Sequence, residues 1–168
     1  MHIGLEEEIV LLYTLYACGR KPSKARATQF IVTNHLLKPY EGDWERVTTG
    51  EHRVDNRIAW TRQNLKDKGE ISMPKHGIWA ITQKGVERLE KVAIKSLSWD
   101  EPKDELDAIL HEIKWDRFSD EFLRCLKSLG AELKKRRDKT GEQVAAPNGG
   151  PAKPPASSST SGEPPSVS

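Results

Sequence analysis

The sequence predicts a mainly α-helical protein with one small β-hairpin, ordered as a winged helix-turn-helix and followed by amphipathic helices and a disordered tail. Two observations lead to this prediction. Helical patterns precede Gly69, and two short β-prone pieces follow it, "EISMP" and "GIWAIT", joined by a turn over residues 74–77. A closing helix then begins after Thr82, whose hydroxyl can cap it, and reads "QKGVERLEKVAIKSL".

Each helix of the predicted unit has its own start or stop signal. The first is apolar on nearly every side and ends at Gly19. The second begins at Pro22 and Ser23. The third spans about 52–68, ends at Gly69, and turns one face inward through Val54, Ile58, Thr61 and Leu65.

Composition divides the chain into three parts. We expect a winged-helix domain over residues 1–97 and an α-helical extension over 98–138, with helices at about 104–118 and 119–137. The extension is a candidate surface for a homodimer or a partner protein, through residues 104–137. Residues 139–168 are dominated by Pro, Gly, Ala and Ser, which bury too little apolar surface to offset their ordering entropy, so this tail is predicted to be disordered.

The net charge of +2 conceals an uneven distribution. Bases outnumber acids from Arg53 to Trp79, acids dominate from Trp99 to Leu129, and "KKRR" follows at 134–137. Such segregation favours a polyanionic partner over a uniformly solvated surface. We therefore expect double-stranded DNA as the partner.

The third helix normally enters the major groove in this fold, where Arg matches guanine and Asn matches adenine. The basic hairpin turn beside it is placed to reach a phosphate or the minor groove. The predicted DNA-binding residues are Arg53, Asn56, Arg57, Trp60, Arg62, Gln63, Asn64, Lys66, Lys75, His76 and Lys84.

Three tryptophans allow two interpretations. Trp60 is expected to pack against the hairpin and Trp79 against the closing helix, whereas Trp44 lies in the loop before the third helix. The alternative is an aromatic surface for a base or its methyl group, which would make Trp44, Trp60 and Trp79 candidate contacts to a modified base.

A set of residues in fixed order resembles the N-terminal winged-helix domain of Mrr-type restriction proteins. The resemblance covers about residues 5–95 and implies DNA binding for a restriction system, often one directed at modified DNA. The matching positions are Arg57, Trp60, Leu65, Gly69, Pro74, Lys75, Gly77, Trp79, Ile81, Thr82 and Gly85.

A nuclease domain usually follows in that family, and "FSDEFLRCLKSLG" is similar to its entry helix, with Ser119 where a Glu is expected. Catalysis would need a sheet that carries an Asp and a Glu-x-Lys for Mg²⁺. The chain has "EIK" at Glu112–Lys114, but in a helical, acidic stretch with no β-rich core after it. We therefore predict no enzyme activity, no catalytic residues, no metal and no cofactor.

The sequence thus predicts a cytoplasmic, DNA-binding protein of a restriction system, without its own nuclease and with methylated DNA as a candidate target. No apolar run approaches the ~20 residues of a membrane span. Cys18 and Cys125 lie in apolar helical patterns and are expected to be reduced. The alternatives are a transcriptional regulator or a protein-protein interaction module that uses the winged helix and the acidic helices.

Overall fold

The computed structural model describes residues 4–39, 42, 43, 45, 46, 48, 50–98 and 113–145, with side chains through 141. Five α-helices, one β-hairpin and a 3-10 turn at Trp115–Arg117 are found in this part of the chain. The fold is therefore mainly helical with one two-stranded sheet, as predicted. The elements are α1 Leu5–Ala17, α2 Lys24–Thr33, α3 Arg53–Asp67, β1 Ile71–Lys75, β2 Ile78–Ile81, α4 Gln83–Ser96 and α5 Asp120–Ala145.

Helix α1 lies at the centre of the fold. Its apolar residues from Ile9 to Leu15 include several with no more than 1% exposure, and it contacts α2, α3, α4 and β2. A helix that is apolar all round must be covered on all sides. This burial arranges the other elements around α1.

The predicted start and stop signals are used as expected. Ser23 caps α2 by accepting a hydrogen bond from the backbone N–H of Arg26 at 3.2 Å, and Thr82 caps α4 by accepting from Gly85 at 3.3 Å. Gly69 follows α3 with φ of 73°, a left-handed conformation that favours glycine. These local devices set the boundaries of the helices independently of the core.

The hairpin is antiparallel, with Ile71 opposite Ile81 and an irregularity between Ser72 and Lys75. The segment before α2 runs along the other edge of β2. The N–H groups of Ile81 and Trp79 donate to the carbonyls of Arg20 and Pro22, at 3.0 Å each, and Lys24 donates to Gly77 at 2.8 Å. Both edges of β2 are therefore paired, and the hairpin turn is fixed beside the start of α2.

Helix α5 packs along α4 and completes the core. A Cβ on Gly130 would collide with the backbone carbonyl of Ala93, so glycine allows the two helices to approach closely. Phe122 meets the edge of Tyr13 with 5.5 Å between ring centroids. Ser119, where the resemblance expects Glu, caps α5: its hydroxyl accepts from the N–H of Phe122 and donates to the carbonyl of Leu36, at 3.1 Å each.

Two predictions about the extension need correction. The helix expected at 104–118 lies mostly outside the described residues, but its last part is the 3-10 turn, after which Phe118 forms a β-bridge with Leu37. The disordered tail was expected from residue 139, whereas α5 continues to Ala145. Lys, Glu, Gln and Ala at its end are good helix formers, so the helix persists although Gly141 lowers its propensity.

The three glutamates at the start of α1 are buried although they are charged. Glu8 accepts from the ammonium of Lys68 and the guanidinium of Arg88, at 2.8 Å each. Arg88 also donates to Glu70 at 2.6 Å. Burial lowers the pKa of Arg88, but hydrogen bonds to Glu70 and Glu8 outweigh it and raise that pKa above its ordinary value. This network ties α1 to the end of α3, the start of β1 and α4.

The two neighbouring glutamates, Glu6 and Glu7, differ in their hydrogen-bond partners. Glu6 accepts a hydrogen bond from the backbone N–H of Lys114 at 2.7 Å, which joins α1 to the segment before α5. Burial raises the pKa of Glu7, and its Oε2 atom has no hydrogen-bond partner among the described residues. Burial therefore disfavours the charged form of Glu7 in the folded protein.

Within the part of the chain that the structure describes, no helix is both long and apolar enough to cross a membrane.

Candidate nucleic-acid interface

The outer face of α3 presents an aromatic ring between two amides. Asn56, Trp60 and Gln63 are spaced by four and three residues, so they lie on one side of the helix. This side is opposite Val54, Ile58 and Leu65, which are buried. Trp60 is 54% exposed, whereas both amide residues are half-buried. The Gln63 amide nitrogen donates to Asp67 at 2.8 Å, which orients that side chain along the helix.

The exposure of Trp60 is unusual for its size. Only Trp60 and Leu97 are exposed large hydrophobic residues in the described part of the chain. The expectation that Trp60 packs against the hairpin is therefore wrong. An exposed Trp flanked by amides suits contact with a macromolecule, because the ring offers area and the amides offer hydrogen bonds.

Arg57 does not face solvent, contrary to the prediction that it contacts DNA. It is 7% exposed, and its guanidinium donates to both carboxylate oxygens of Asp43, at 3.1 and 3.3 Å. Position 57 lies one turn before the buried Thr61, whose hydroxyl donates to the Arg57 carbonyl at 2.8 Å. A buried guanidinium requires a paired acid, and the bidentate geometry supplies it.

The Asp43–Arg57 pair positions the loop that precedes α3. The same loop is held by backbone hydrogen bonds from Val54 to the Asp43 carbonyl, at 3.2 Å, and from Arg53 to the Glu45 carbonyl, at 3.0 Å. Arg46 and His52 add a β-bridge across it. Arg57 is therefore a positioning residue for the entrance to α3.

Other cations on α3 are partly engaged within the protein. The Arg53 guanidinium pairs with Glu45 at 3.0 Å, in a largely exposed contact. Arg62 is half-buried: it donates to the Met73 sulfur at 2.9 Å and lies 6.0 Å from the centre of the Trp79 ring. Lys66 is exposed and Asn64 is half-buried, so both side chains remain at least partly accessible to a partner. The helix thus offers a less basic surface than its sequence suggests.

Trp79 and Trp44 complete the set of aromatic candidates. Trp79 is 3% exposed and belongs to the hydrophobic core, so the prediction that it contacts a modified base is wrong. It lies in β2, with the Arg62 guanidinium 6.0 Å from the centre of its ring. Trp44 lies outside the described residues. Among the described candidates, only Trp60 presents its ring to solvent.

The hairpin turn carries the exposed cation Lys75 and the exposed His76. Gly77 follows with φ of 74°, and its carbonyl accepts from the N–H of Lys24 at 2.8 Å. The turn is therefore braced against the start of α2. Lys84, also a predicted DNA contact, instead donates its ammonium to the Lys68 carbonyl at the end of α3, at 2.8 Å.

Helix α2 also borders this surface, which no sequence pattern predicted. An open groove of about 670 Å³ lies between α2, the start of α3 and the hairpin turn; its lining includes Lys24, Thr28 and Gln29, but also Glu51 and Asp55. Lys24 lies 3.8 Å from Glu51, so this side of the surface is close to neutral. The capping residue Ser23 predicted where α2 begins. No local sequence pattern predicted that the hairpin turn would lie beside the start of this helix.

Within the described residues, no group of three His, Cys, Asp or Glu side chains is placed to hold a metal ion. Lys114 of the "EIK" motif is exposed in the segment before the 3-10 turn, and Glu112 lies outside the described residues.

Comparison with protein families gives one match, to the Mrr N-terminal domain, over residues 10–91. This range contains α2, α3, the hairpin and most of α1 and α4. No curated protein and no solved structure gives a significant match. Residues 10–91 are therefore similar to the Mrr N-terminal domain, and this similarity associates the chain with Mrr-like restriction system proteins.

Proposed function

We propose that this chain binds double-stranded DNA for a restriction system, with the outer face of α3 in the major groove and the hairpin turn on the backbone. The observation that carries the proposal is the exposed Trp60 ring between Asn56 and Gln63. Asn and Gln amides match the N6 and N7 edge of adenine, and an aromatic ring can contact a thymine methyl. The family of the domain supports the same assignment.

The backbone contacts in this proposal come from Arg53, Lys66 and Lys75, which are exposed cations on α3 and the hairpin turn. Arg57 is excluded because it is buried against Asp43. If all three cations meet phosphates, they should contribute roughly −2.7 to the slope of log K against log salt.

Reading of a modified base depends on Trp60 in this proposal. A methyl group placed against the ring buries about one CH₂ equivalent, worth ~0.8 kcal/mol, which is a preference of only about four-fold. The cations cannot contribute to this preference, because they contact parts of DNA that methylation does not change.

The test is a set of binding titrations on matched duplexes that are unmodified, methylated at adenine or methylated at cytosine, at two salt concentrations. We expect salt-dependent binding to all three and a few-fold preference for one methylated duplex, which Trp60→Leu abolishes. Equal affinity for all three duplexes would contradict modification reading. Absence of salt-dependent binding would contradict DNA binding altogether.

A protein-interaction module is the second candidate, because an exposed Trp bordered by polar groups is also typical of a protein-protein hot spot. Such a module would show no salt-dependent affinity for DNA. A transcriptional regulator, by contrast, would bind as a symmetric dimer and prefer a palindrome with half-sites about one helical turn apart.

We also propose that the chain does not cleave DNA itself. The sheet within the described residues is one antiparallel hairpin, and it carries no carboxylate pair on adjacent strands. Incubation of plasmid DNA, modified or not, with Mg²⁺ or Mn²⁺ should leave it intact. Metal-dependent nicking that disappears in Glu112→Ala would contradict this proposal.

A further inference from the structure

The second half of α5 extends beyond the hydrophobic core. Leu133 is the last buried residue of α5 among those whose side chains the structure describes, and every residue from 134 to 141 is exposed. A helix that is polar on all sides is not stabilised by packing and depends on propensity and local pairs. Two such contacts are present, the Glu132–Arg136 ion pair and the hydrogen bond from the Thr140 hydroxyl to the Arg136 carbonyl.

This projecting segment concentrates positive charge. Of its cations, Arg136 is paired with Glu132, whereas the others have no salt-bridge partner among the described residues: Lys134, Lys135, Arg137 and Lys139. One acid, Asp138, lies among them. We refer to residues 134–139 as the α5 basic segment.

The helix dipole does not explain this placement. Cations stabilise the C-terminus of a helix only within about its last turn, and α5 continues to Ala145, beyond that distance from Arg137. Like charges at i,i+4, such as Lys135 and Lys139, are mildly destabilising in an isolated helix. A bound polyanion would offset this repulsion, because each lysine would then be attracted to a negative charge.

The spacing of the cations fits a phosphate backbone. Lys135 and Lys139 are separated by about 6 Å along the helix axis, from a rise of 1.5 Å per residue. One strand of DNA carries a phosphate about every 3.4 Å of axis, so two lysines about 6 Å apart can reach phosphates two steps apart, a distance of about 6.8 Å along the axis. The flexible, strongly hydrated ammonium groups suit such contacts, which need charge without fixed geometry.

We propose that the α5 basic segment binds the phosphate backbone of double-stranded nucleic acid, independently of sequence and through a surface separate from α3. It supplies affinity, whereas the outer face of α3 supplies discrimination. The proposal does not depend on which sequence or modification α3 recognises.

The experiment compares two triple variants that remove the same charge from exposed positions. In the test variant, Lys134, Lys135 and Lys139 are changed to Gln, which keeps helix propensity close to that of Lys. The matched control carries Lys91→Gln, Lys114→Gln and Arg117→Gln. Circular dichroism checks that both remain folded, and anisotropy on a long duplex of arbitrary sequence gives affinity at several salt concentrations.

The expected result is that the test variant reduces the magnitude of the salt slope by roughly 2–3, about 0.9 for each lost phosphate contact, and that the control retains it. An unchanged slope in the test variant, or an equal loss in both variants, would overturn the proposal. So would a test variant that keeps its DNA affinity but loses binding to a poly-glutamate peptide, because the ligand would then be an acidic protein surface.

A third variant separates this proposal from that for α3. Asn56→Ala combined with Trp60→Ala should lose discrimination between duplexes but keep the whole salt slope, because neither side chain is charged. Loss of the entire salt-dependent affinity in this α3 variant would contradict an independent α5 site. Conversely, loss of discrimination in the α5 test variant alone would contradict the role assigned to α3.

Discussion

Replacement of Trp60 by Ala should impair DNA binding and leave the fold nearly intact. Truncation of a fully buried Trp costs ~3–5 kcal/mol. Because Trp60 is already 54% exposed, less than half of that free energy, about 1.4–2.3 kcal/mol, is at stake. The higher helix propensity of Ala offsets part of the loss. The free energy of unfolding, measured in urea, should therefore fall only slightly.

The effect on binding should be specific to the preferred duplex. In the major groove the ring reaches base edges and methyl groups, and one buried CH₂ equivalent is worth ~0.8 kcal/mol, so affinity should fall by about four-fold for each methyl contact that is lost. Fluorescence anisotropy at one fixed salt concentration measures this change. Because the ring carries no charge, the salt slope should stay as it is in the unmutated protein.

Trp79→Ala provides the contrast within the same molecule. Trp79 is 3% exposed, so its truncation should cost ~3–5 kcal/mol of stability and lower binding only as far as the protein unfolds. The reasoning is refuted if Trp60→Ala destabilises the protein as much as Trp79→Ala. It is equally refuted if Trp60→Ala leaves affinity unchanged on every duplex tested.

Four further outcomes follow from particular contacts. Arg57→Ala should cost ~3–5 kcal/mol in urea unfolding because it leaves the Asp43 carboxylate buried without its guanidinium, and replacing Asp43 by Asn in the same chain should recover part of the loss. Burial raises the pKa of Glu7, so the folded protein binds the proton of this carboxyl group more tightly than the unfolded chain does. Glu7 therefore lowers the free energy of unfolding as pH rises above about 4.5. Glu7→Gln should raise the melting temperature at pH 7, and this gain should disappear below pH 4. Gly130→Ala should destabilise the packing of α5 on α4, seen as a lower melting temperature, because its Cβ would meet the Ala93 carbonyl. Lys75→Ala should weaken binding to all duplexes alike and reduce the salt slope by about 0.9; selective weakening on one duplex would instead make Lys75 a base contact.

Much of the candidate interface could be predicted because it lies on one regular helix. The 3.6-residue period places Asn56, Trp60 and Gln63 opposite the apolar residues of α3, whatever the rest of the chain does. The same period could not predict whether Arg57 is buried or exposed, because this residue lies at the border of the buried face. Its burial depends on Asp43, fourteen residues earlier in a loop without periodicity.

The sequence by itself determined the order of the elements, their caps and the inward face of α3, because these depend on contacts within a few residues. Only the tertiary structure decided which charges and aromatic rings remain available to a partner. It buries Glu8 between Lys68 and Arg88, places Trp79 in the core, and leaves Trp60 in solvent. Such pairings join side chains from distant segments, and the cost of burying a charge is met only when the fold brings its partner into place.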